Sequence, residues 1–170
     1  LSIVDKTNKS NEALYWVYDF LKAKPREDNF YQTANYLKMC KGFVEDVFND
    51  DNNIEKTDQF EMLGRSLEYF DDKQDFDVED FELSVMEQPE IIDAFKDYKK
   101  EYVEKYDLAV ADDFKISMDA VKKSRKDFKS VLKLDKNFHV YIHGRRDYIS
   151  KGWDDSKKLN FYKIYYDVEN

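Results

Sequence analysis

The spacing of apolar residues changes once along this chain, close to Phe114, and the change restricts the folds open to it. Before that point apolar residues recur at every third or fourth position, which is the period of an amphipathic helix. After it they alternate with polar residues, as they do in a half-buried strand. Helices followed by strands predict an α+β fold, in which a helical body of about five helices precedes a small three-stranded antiparallel β-sheet at the C-terminus.

Five predicted helices account for the first part of the chain. They begin near Ser10, Asp28, Asp58, Val78 and Pro89. Ser10 is a residue type that caps helix N-termini, and Asp58 and Glu61 have the spacing of a capping box. Pro89 suits the first turn of a helix, where its missing N–H costs no hydrogen bond. The polar run at 49–53 predicts a loop between the second and third helices.

The predicted sheet follows a short helix that Ser117 caps. Its three strands are 131–134, 138–142 and 161–166. In the second strand Phe138, Val140 and Ile142 alternate with polar residues, so we expect these three on the buried face. Between the second and third strands, residues 147–151 predict a helical turn that ends at Gly152.

Charge divides the chain at almost the same place. Residues 1–114 carry 14 Lys and Arg against 29 Asp and Glu, a net charge of −15, whereas residues 115–170 carry 14 against 8, a net charge of +6. We therefore predict an acidic helical region at 1–113 and a basic region of helix and β-meander at 114–170, packed on the helices as one domain. The opposite charges indicate either separate partners for the two regions or attraction between the regions themselves.

The residues form no recognisable motif for catalysis, for a cofactor or for a metal ion. Cys40 lies on the apolar face of a predicted helix, where cysteine behaves as a small hydrophobic residue. His139 and His143 share one face of a strand but are about 13 Å apart along it, too far to bind one metal ion. None of the glycines forms a phosphate-binding loop. We predict a non-enzymatic protein without catalytic residues, cofactor or metal.

Basic and aromatic residues are interleaved through the C-terminal region. Basic side chains neutralise phosphates and aromatic rings stack on unpaired bases, so this pattern is typical of a nucleic-acid-binding surface. An ordinary solvated face above a set of core aromatic residues would produce the same pattern. The candidate nucleic-acid contacts are Lys122, Lys123, Arg125, Lys126, Lys129, Lys133, His139, His143, Arg145 and Arg146.

Residues 128–144, which read FKSVLKLDKNFHVYIHG, resemble the C-terminal signature of the NdpA-type nucleoid-associated proteins of bacteria. The closing run at 160–166 (NFYKIYY) and the early run at 24–28 (KPRED) are similar to the same family. The resemblance implies a cytoplasmic protein found with the nucleoid, and a chain that is the C-terminal half of a longer protein. It brings no catalytic residues with it.

Two functional hypotheses follow. The first is a nucleoid-associated protein whose basic C-terminal surface binds DNA, either directly or through a partner. The second is a protein-interaction or dimerisation module without direct DNA contact, which would self-associate or pack with the absent N-terminal domain. We expect no membrane insertion, because no apolar run approaches the roughly 18 residues that span a bilayer.

Overall fold

The computed structural model describes residues 27–128, 130–142 and 148–169, and the first predicted helix, near residues 10–21, lies outside them. The helices are α1 (Asn29–Asp46), α2 (Lys56–Asp72), α3 (Val78–Phe81), α4 (Pro89–Tyr106) and α5 (Met118–Ser124). The strands are β1 (Asp75–Asp77), β2 (Asp113–Lys115), β3 (Ser130–Leu134), β4 (Phe138–Ile142), β5 (Ile149–Asp154) and β6 (Leu159–Ile164). Shorter turns are a 3-10 turn at Asp50–Asn52, a π-helical turn at Glu82–Met86 and a 3-10 turn at Arg125–Phe128. The order of helices before C-terminal strands confirms the α+β class.

Of the five predicted helices, three begin in the described residues where they were placed, near Asp28, Val78 and Pro89, and one does not. Asp28 caps α1 by accepting a hydrogen bond of 3.0 Å from the backbone N–H of Tyr31, and Pro89 is the first residue of α4. The capping box at Asp58 is wrong, because α2 begins at Lys56 and Glu55 is its N-cap residue. Asp58 instead lies in the first turn of α2, where its negative charge interacts favourably with the positive end of the helix dipole.

Aromatic side chains from separate elements meet in the core of the helical body. β1 pairs with β2, which places Phe76 opposite Phe114 with ring centroids 4.6 Å apart. The ring of Phe76 also stacks on Phe70 of α2 at 5.4 Å. The two-stranded sheet of β1 and β2 therefore packs against α2, although β2 comes much later in the chain. The fully buried aromatic residues of the core are Tyr36, Phe43, Phe70, Phe76, Phe81 and Phe95.

Two buried polar residues of α1 hold the segment that leads into α5. The Gln32 side chain donates to the carbonyl of Ala109 and accepts from the N–H of Ala111, both at 3.0 Å. The Thr33 hydroxyl accepts from the N–H of Ser117 at 2.9 Å. Ser117 is the N-cap residue of α5, as predicted, but its side chain makes no capping hydrogen bond. These bonds position α5 against α1 and α2.

The predicted three-stranded sheet is wrong. In the described residues the strands form three separate two-stranded antiparallel sheets, which are β1 with β2, β3 with β4 and β5 with β6. The predicted helical turn at 147–151 is also wrong, because Ile149–Asp154 is strand β5. β6 therefore pairs with β5 and not with β4, and each C-terminal sheet is a hairpin of its own.

A second apolar cluster joins both hairpins to α2. Phe60 of α2, Leu132 of β3 and Ile142 of β4 are its buried members, and Ile149 and Tyr162 of the second hairpin pack against it. The three buried members are few, so this cluster is much smaller than the core of the helical body. No helix in the described part of the chain is both long and apolar enough to cross a membrane.

Candidate nucleic-acid interface

The basic residues of α5 and of the turn after it lie on the exposed side of this short helix. Lys122 and Lys123 point away from the core, while Ala120 and Val121 are buried against it. The Lys123 ammonium lies 4.8 Å from the ring centroid of Phe30, which is close enough for a cation–π contact. The helix thus presents its lysines outwards because its apolar side is anchored on α1 and α2.

In the turn itself, Arg125 and Lys126 are both exposed. A guanidinium nitrogen of Arg125 lies 2.7 Å from a carboxylate oxygen of Asp71 in α2. Lys126 makes no ion pair within the described residues. Arg125 is therefore partly used in holding the turn to α2, and Lys126 is the residue of this pair with an unengaged charge.

The first hairpin, formed by β3 and β4, has one face packed in the second apolar cluster and one open face, whose β3 residues Val131 and Lys133 border a cleft beside the helical body. Its register places Leu132 opposite Val140 and Lys133 opposite His139. Cross-strand partners share a face and neighbours along a strand alternate, so Lys133 and His139 lie together on the open face. Tyr141 is on the same face and is 60 % exposed. The structure thus brings two of the predicted basic contacts together, beside an accessible aromatic ring.

Four of the predicted contacts lie outside the described residues. They are Lys129, His143, Arg145 and Arg146. The remaining six form two groups, one on α5 and its turn and the other on the open face of the first hairpin. The link between the groups is short, since Phe128 ends the turn and β3 begins at Ser130.

A cleft of about 440 Å³ lies between the first hairpin and the helical body. Lys133 lines it together with Lys41 and Lys56, two body lysines that the sequence pattern did not single out. Both body lysines are engaged, Lys41 with Glu45 at 3.5 Å and Lys56 with Asp50 at 3.2 Å. The acidic residues around them in the sequence hid any basic pattern, and only the fold places them next to β3.

The Cys40 thiol is 1 % exposed, as expected for a small core residue. Burial raises the pKa of this thiol to about 12, which keeps it protonated at neutral pH. A protonated and inaccessible thiol is a poor nucleophile. In the parts of the chain that the structure describes, no three histidine, cysteine, aspartate or glutamate side chains are grouped as a metal site.

The family model described as nucleoid-associated protein YejK matches residues 1–167. The chain belongs to this nucleoid-associated family. The match covers almost the whole chain and confirms the resemblance seen in the runs at 24–28, 128–144 and 160–166. No curated protein matches the chain, and no solved structure does either.

Proposed function

We propose that this member of the nucleoid-associated family is a non-enzymatic protein that binds nucleic acid directly. The binding surface consists of α5, its 3-10 turn and the open face of the first hairpin. We call it the basic surface. It comprises Lys122, Lys123, Arg125, Lys126, Lys133 and His139.

One observation carries this proposal, namely the difference in ion pairing between the basic surface and the helical body. In the described part of residues 27–114, six of nine lysines and arginines are in ion pairs with acidic side chains. On the basic surface, Arg125 is paired with Asp71, and the other four cationic residues, all lysines, form no ion pair with any described residue. An exposed and unpaired lysine can neutralise a phosphate and release counterions without first losing an ion pair.

The acidic body adds a condition to this binding. Its net charge repels phosphate at long range, so the basic surface must approach the nucleic acid while the body faces away. The affinity should therefore be moderate and should fall steeply as salt screens the few favourable contacts. Non-enzymatic function is supported by the buried, protonated Cys40 and by the lack of a catalytic motif in the sequence.

The test compares two triple variants that carry the same change of charge. Lys122→Glu, Lys126→Glu, Lys133→Glu reverses the basic surface, and Lys38→Glu, Lys100→Glu, Lys105→Glu reverses three exposed lysines of the body that also lack ion pairs with described residues. DNA affinity is measured by fluorescence anisotropy at a series of salt concentrations. We expect the first variant to bind DNA about 10- to 100-fold more weakly. The slope of log K against log salt should also become shallower by about three. Equal affinities for the two variants would contradict the proposal.

A protein-interaction or dimerisation function is the second candidate, and the sheet topology favours it. In a two-stranded sheet both strands are edge strands, so β3, β4, β5 and β6 each have one side that pairs with no other described strand and that can accept a strand from another chain. Analytical ultracentrifugation separates the two candidates. A stable dimer that binds no DNA supports this function, whereas a monomer that binds DNA excludes it as the main function.

A further inference from the structure

The second hairpin, formed by β5 and β6, also has a packed face and an open one. Its register pairs Lys151 with Tyr162 and Gly152 with Phe161. Tyr162 packs against the second apolar cluster, so the face that carries Tyr162 is turned towards the body. Phe161, one position earlier in β6, is therefore on the opposite face and is turned away from the body.

Alternate residues of β6 line this open face. The pairing continues past the end of the strand, because the N–H of Tyr165 donates to the carbonyl of Tyr148 at 2.8 Å. The residues on the open face are Leu159, Phe161, Lys163 and Tyr165, and we call them the β6 stripe. All four are exposed, Phe161 by 44 % and Tyr165 by 52 %.

The Phe161 ring lies directly on the backbone of Gly152. A Cβ atom at Gly152 would overlap the ring and would come within 2.8 Å of its Cε1 atom. Glycine leaves the space that the ring needs at this position, which accounts for a glycine inside a strand. One face of the Phe161 ring thus packs on the backbone of β5, while almost half of the residue is open to solvent.

A cation lies between the two exposed rings. The Lys163 ammonium is 4.7 Å from the ring centroid of Tyr165, and it makes no ion pair with any described residue. At the usual rise of a strand, Phe161 and Tyr165 are about 13 Å apart, with Lys163 midway between them. Asp154 shares this face at the turn, where its carboxylate accepts from the Ser156 hydroxyl and from the N–H groups of Ser156 and Lys157.

We propose that the β6 stripe stacks the unpaired bases of a single-stranded nucleic acid. Phe161 and Tyr165 each take the face of one base, with one nucleotide between the two bases because the rings are about 13 Å apart, and Lys163 contacts a phosphate of that intervening nucleotide. This inference rests on the proposed function, in which the basic surface supplies the attraction for phosphate, and it adds the class of nucleic acid. A duplex cannot occupy the stripe in this way, because its base faces are covered by their neighbours.

The position of Lys163 decides between a nucleic acid and the apolar surface of another protein. A protein partner that covered the two rings would also bury the Lys163 ammonium, which is costly unless the partner supplies an acid there. A phosphate supplies that negative charge wherever a strand of nucleic acid crosses the stripe. The alternation of ring, cation and ring therefore fits an extended polyanion with stacking bases.

The experiment measures the affinity of the whole chain for a single strand and for a duplex of the same sequence. We expect Phe161→Leu and Tyr165→Leu each to lower single-strand affinity by about 10-fold and to leave duplex affinity within about twofold. Tyr106→Leu is the matched control, since Tyr106 is also 52 % exposed and also has a lysine, Lys105, over its ring. The control should bind both nucleic acids as the unaltered chain does.

Gly152→Ala tests the same stripe with both rings still present. The added methyl group must push the Phe161 ring off the strand, so single-strand affinity should fall as it does for Phe161→Leu. Circular dichroism and the thermal midpoint check that each variant is folded. If Gly152→Ala and both leucine variants keep their single-strand affinity, the stripe does not stack bases and the inference is wrong.

The results also separate this inference from the proposed function. In one outcome, reversal of Lys122, Lys126 and Lys133 abolishes DNA binding while the leucine variants bind both nucleic acids normally. That result supports the basic surface as the binding site and contradicts base stacking on the β6 stripe. If only the leucine variants lose single-strand affinity, the result supports base stacking on the β6 stripe and contradicts nucleic-acid binding by the basic surface. An equal loss for single strand and duplex contradicts base stacking. A dimer that dissociates in the leucine variants, without a change in single-strand affinity, identifies the stripe as a protein interface and overturns the inference.

Discussion

The helical body and the C-terminal hairpins place the same residue types in opposite environments. Six phenylalanine and tyrosine residues of the body are at most 1 % exposed, whereas Phe138, Tyr141, Trp153 and Phe161 of the hairpins are 44 % to 62 % exposed. In the body, ring packing holds separate elements together. In the hairpins, backbone pairing and one small apolar cluster do so, which leaves the rings accessible. Aromatic content alone therefore does not distinguish a core from a binding surface.

The largest expected effect is the loss of a body ring. Phe76→Ala should lower the free energy of unfolding by about 3–5 kcal/mol, because it removes a fully buried ring that contacts Tyr36, Phe70, Phe81 and Phe114. Chemical denaturation measures the change. Tyr141→Ala in the first hairpin is the comparison, and its effect should stay within about 0.5 kcal/mol. A comparable loss for both variants would show that the exposed ring is packed in solution.

The second effect concerns the link between the two regions. Phe60→Ala should cost about 2 kcal/mol, less than a core ring, because the cavity at this small cluster is near the surface and can partly collapse. Hydrogen exchange locates the change. We expect faster exchange in β3, β4, β5 and β6 and unchanged protection in α1. Faster exchange in both regions would mean that the hairpins and the body unfold as one unit.

The smallest expected effect is a dependence of the unfolding free energy on pH. One carboxylate from each region allows the comparison. In the body, hydrogen bonds from Lys73 and Tyr69 hold the pKa of Asp80 below its ordinary value of 3.8. In the second hairpin, the Ser156 hydroxyl and the Lys157 N–H lower the pKa of Asp154. The unfolded chain binds protons more readily at both sites, so the stability they contribute is present above pH 3.8 and is lost as the pH falls through the folded pKa.

Asp80→Asn and Asp154→Asn should each flatten the fall in unfolding free energy below pH 3.8. We expect the larger change for Asp80, which has both a lysine and a tyrosine as partners, than for the carboxylate at the exposed turn. Denaturation curves at successive pH values measure the slopes. Parallel slopes for the unaltered chain and for both variants would contradict the assignment.

Helix positions followed from the sequence because their causes are local. The side-chain cap of Asp28, the fixed φ of Pro89 and the three-to-four spacing of apolar residues all act within one or two helical turns. Family membership was likewise visible in short runs of residues. The start of α2 was missed by two residues, because Glu55 occupies the N-cap position without a side-chain hydrogen bond that a motif could reveal.

Strand pairing could not be predicted in the same way. Residues 147–151 with Gly152 satisfy the pattern of a helical turn, and their true partner in β6 comes several residues later in the chain. The deciding contact is the Phe161 ring on the Gly152 backbone, which exists only when the two strands are already paired. A similar limit applies to Phe138, which alternates with Val140 and Ile142 but is 62 % exposed, because its own side chain does not pack in the small cluster that its partner Leu134 contacts.

For the candidate site, the sequence alone showed that basic residues are concentrated after Phe114 and interleaved with aromatic residues. It could not determine which of the basic residues are engaged by acids from distant elements, as Arg125 is by Asp71, or which rings are open to solvent. Those properties depend on burial and on contacts between residues far apart in the chain. Local periodicity and charge fix the elements and their composition, whereas the packing of elements against one another decides which side chains remain free to bind.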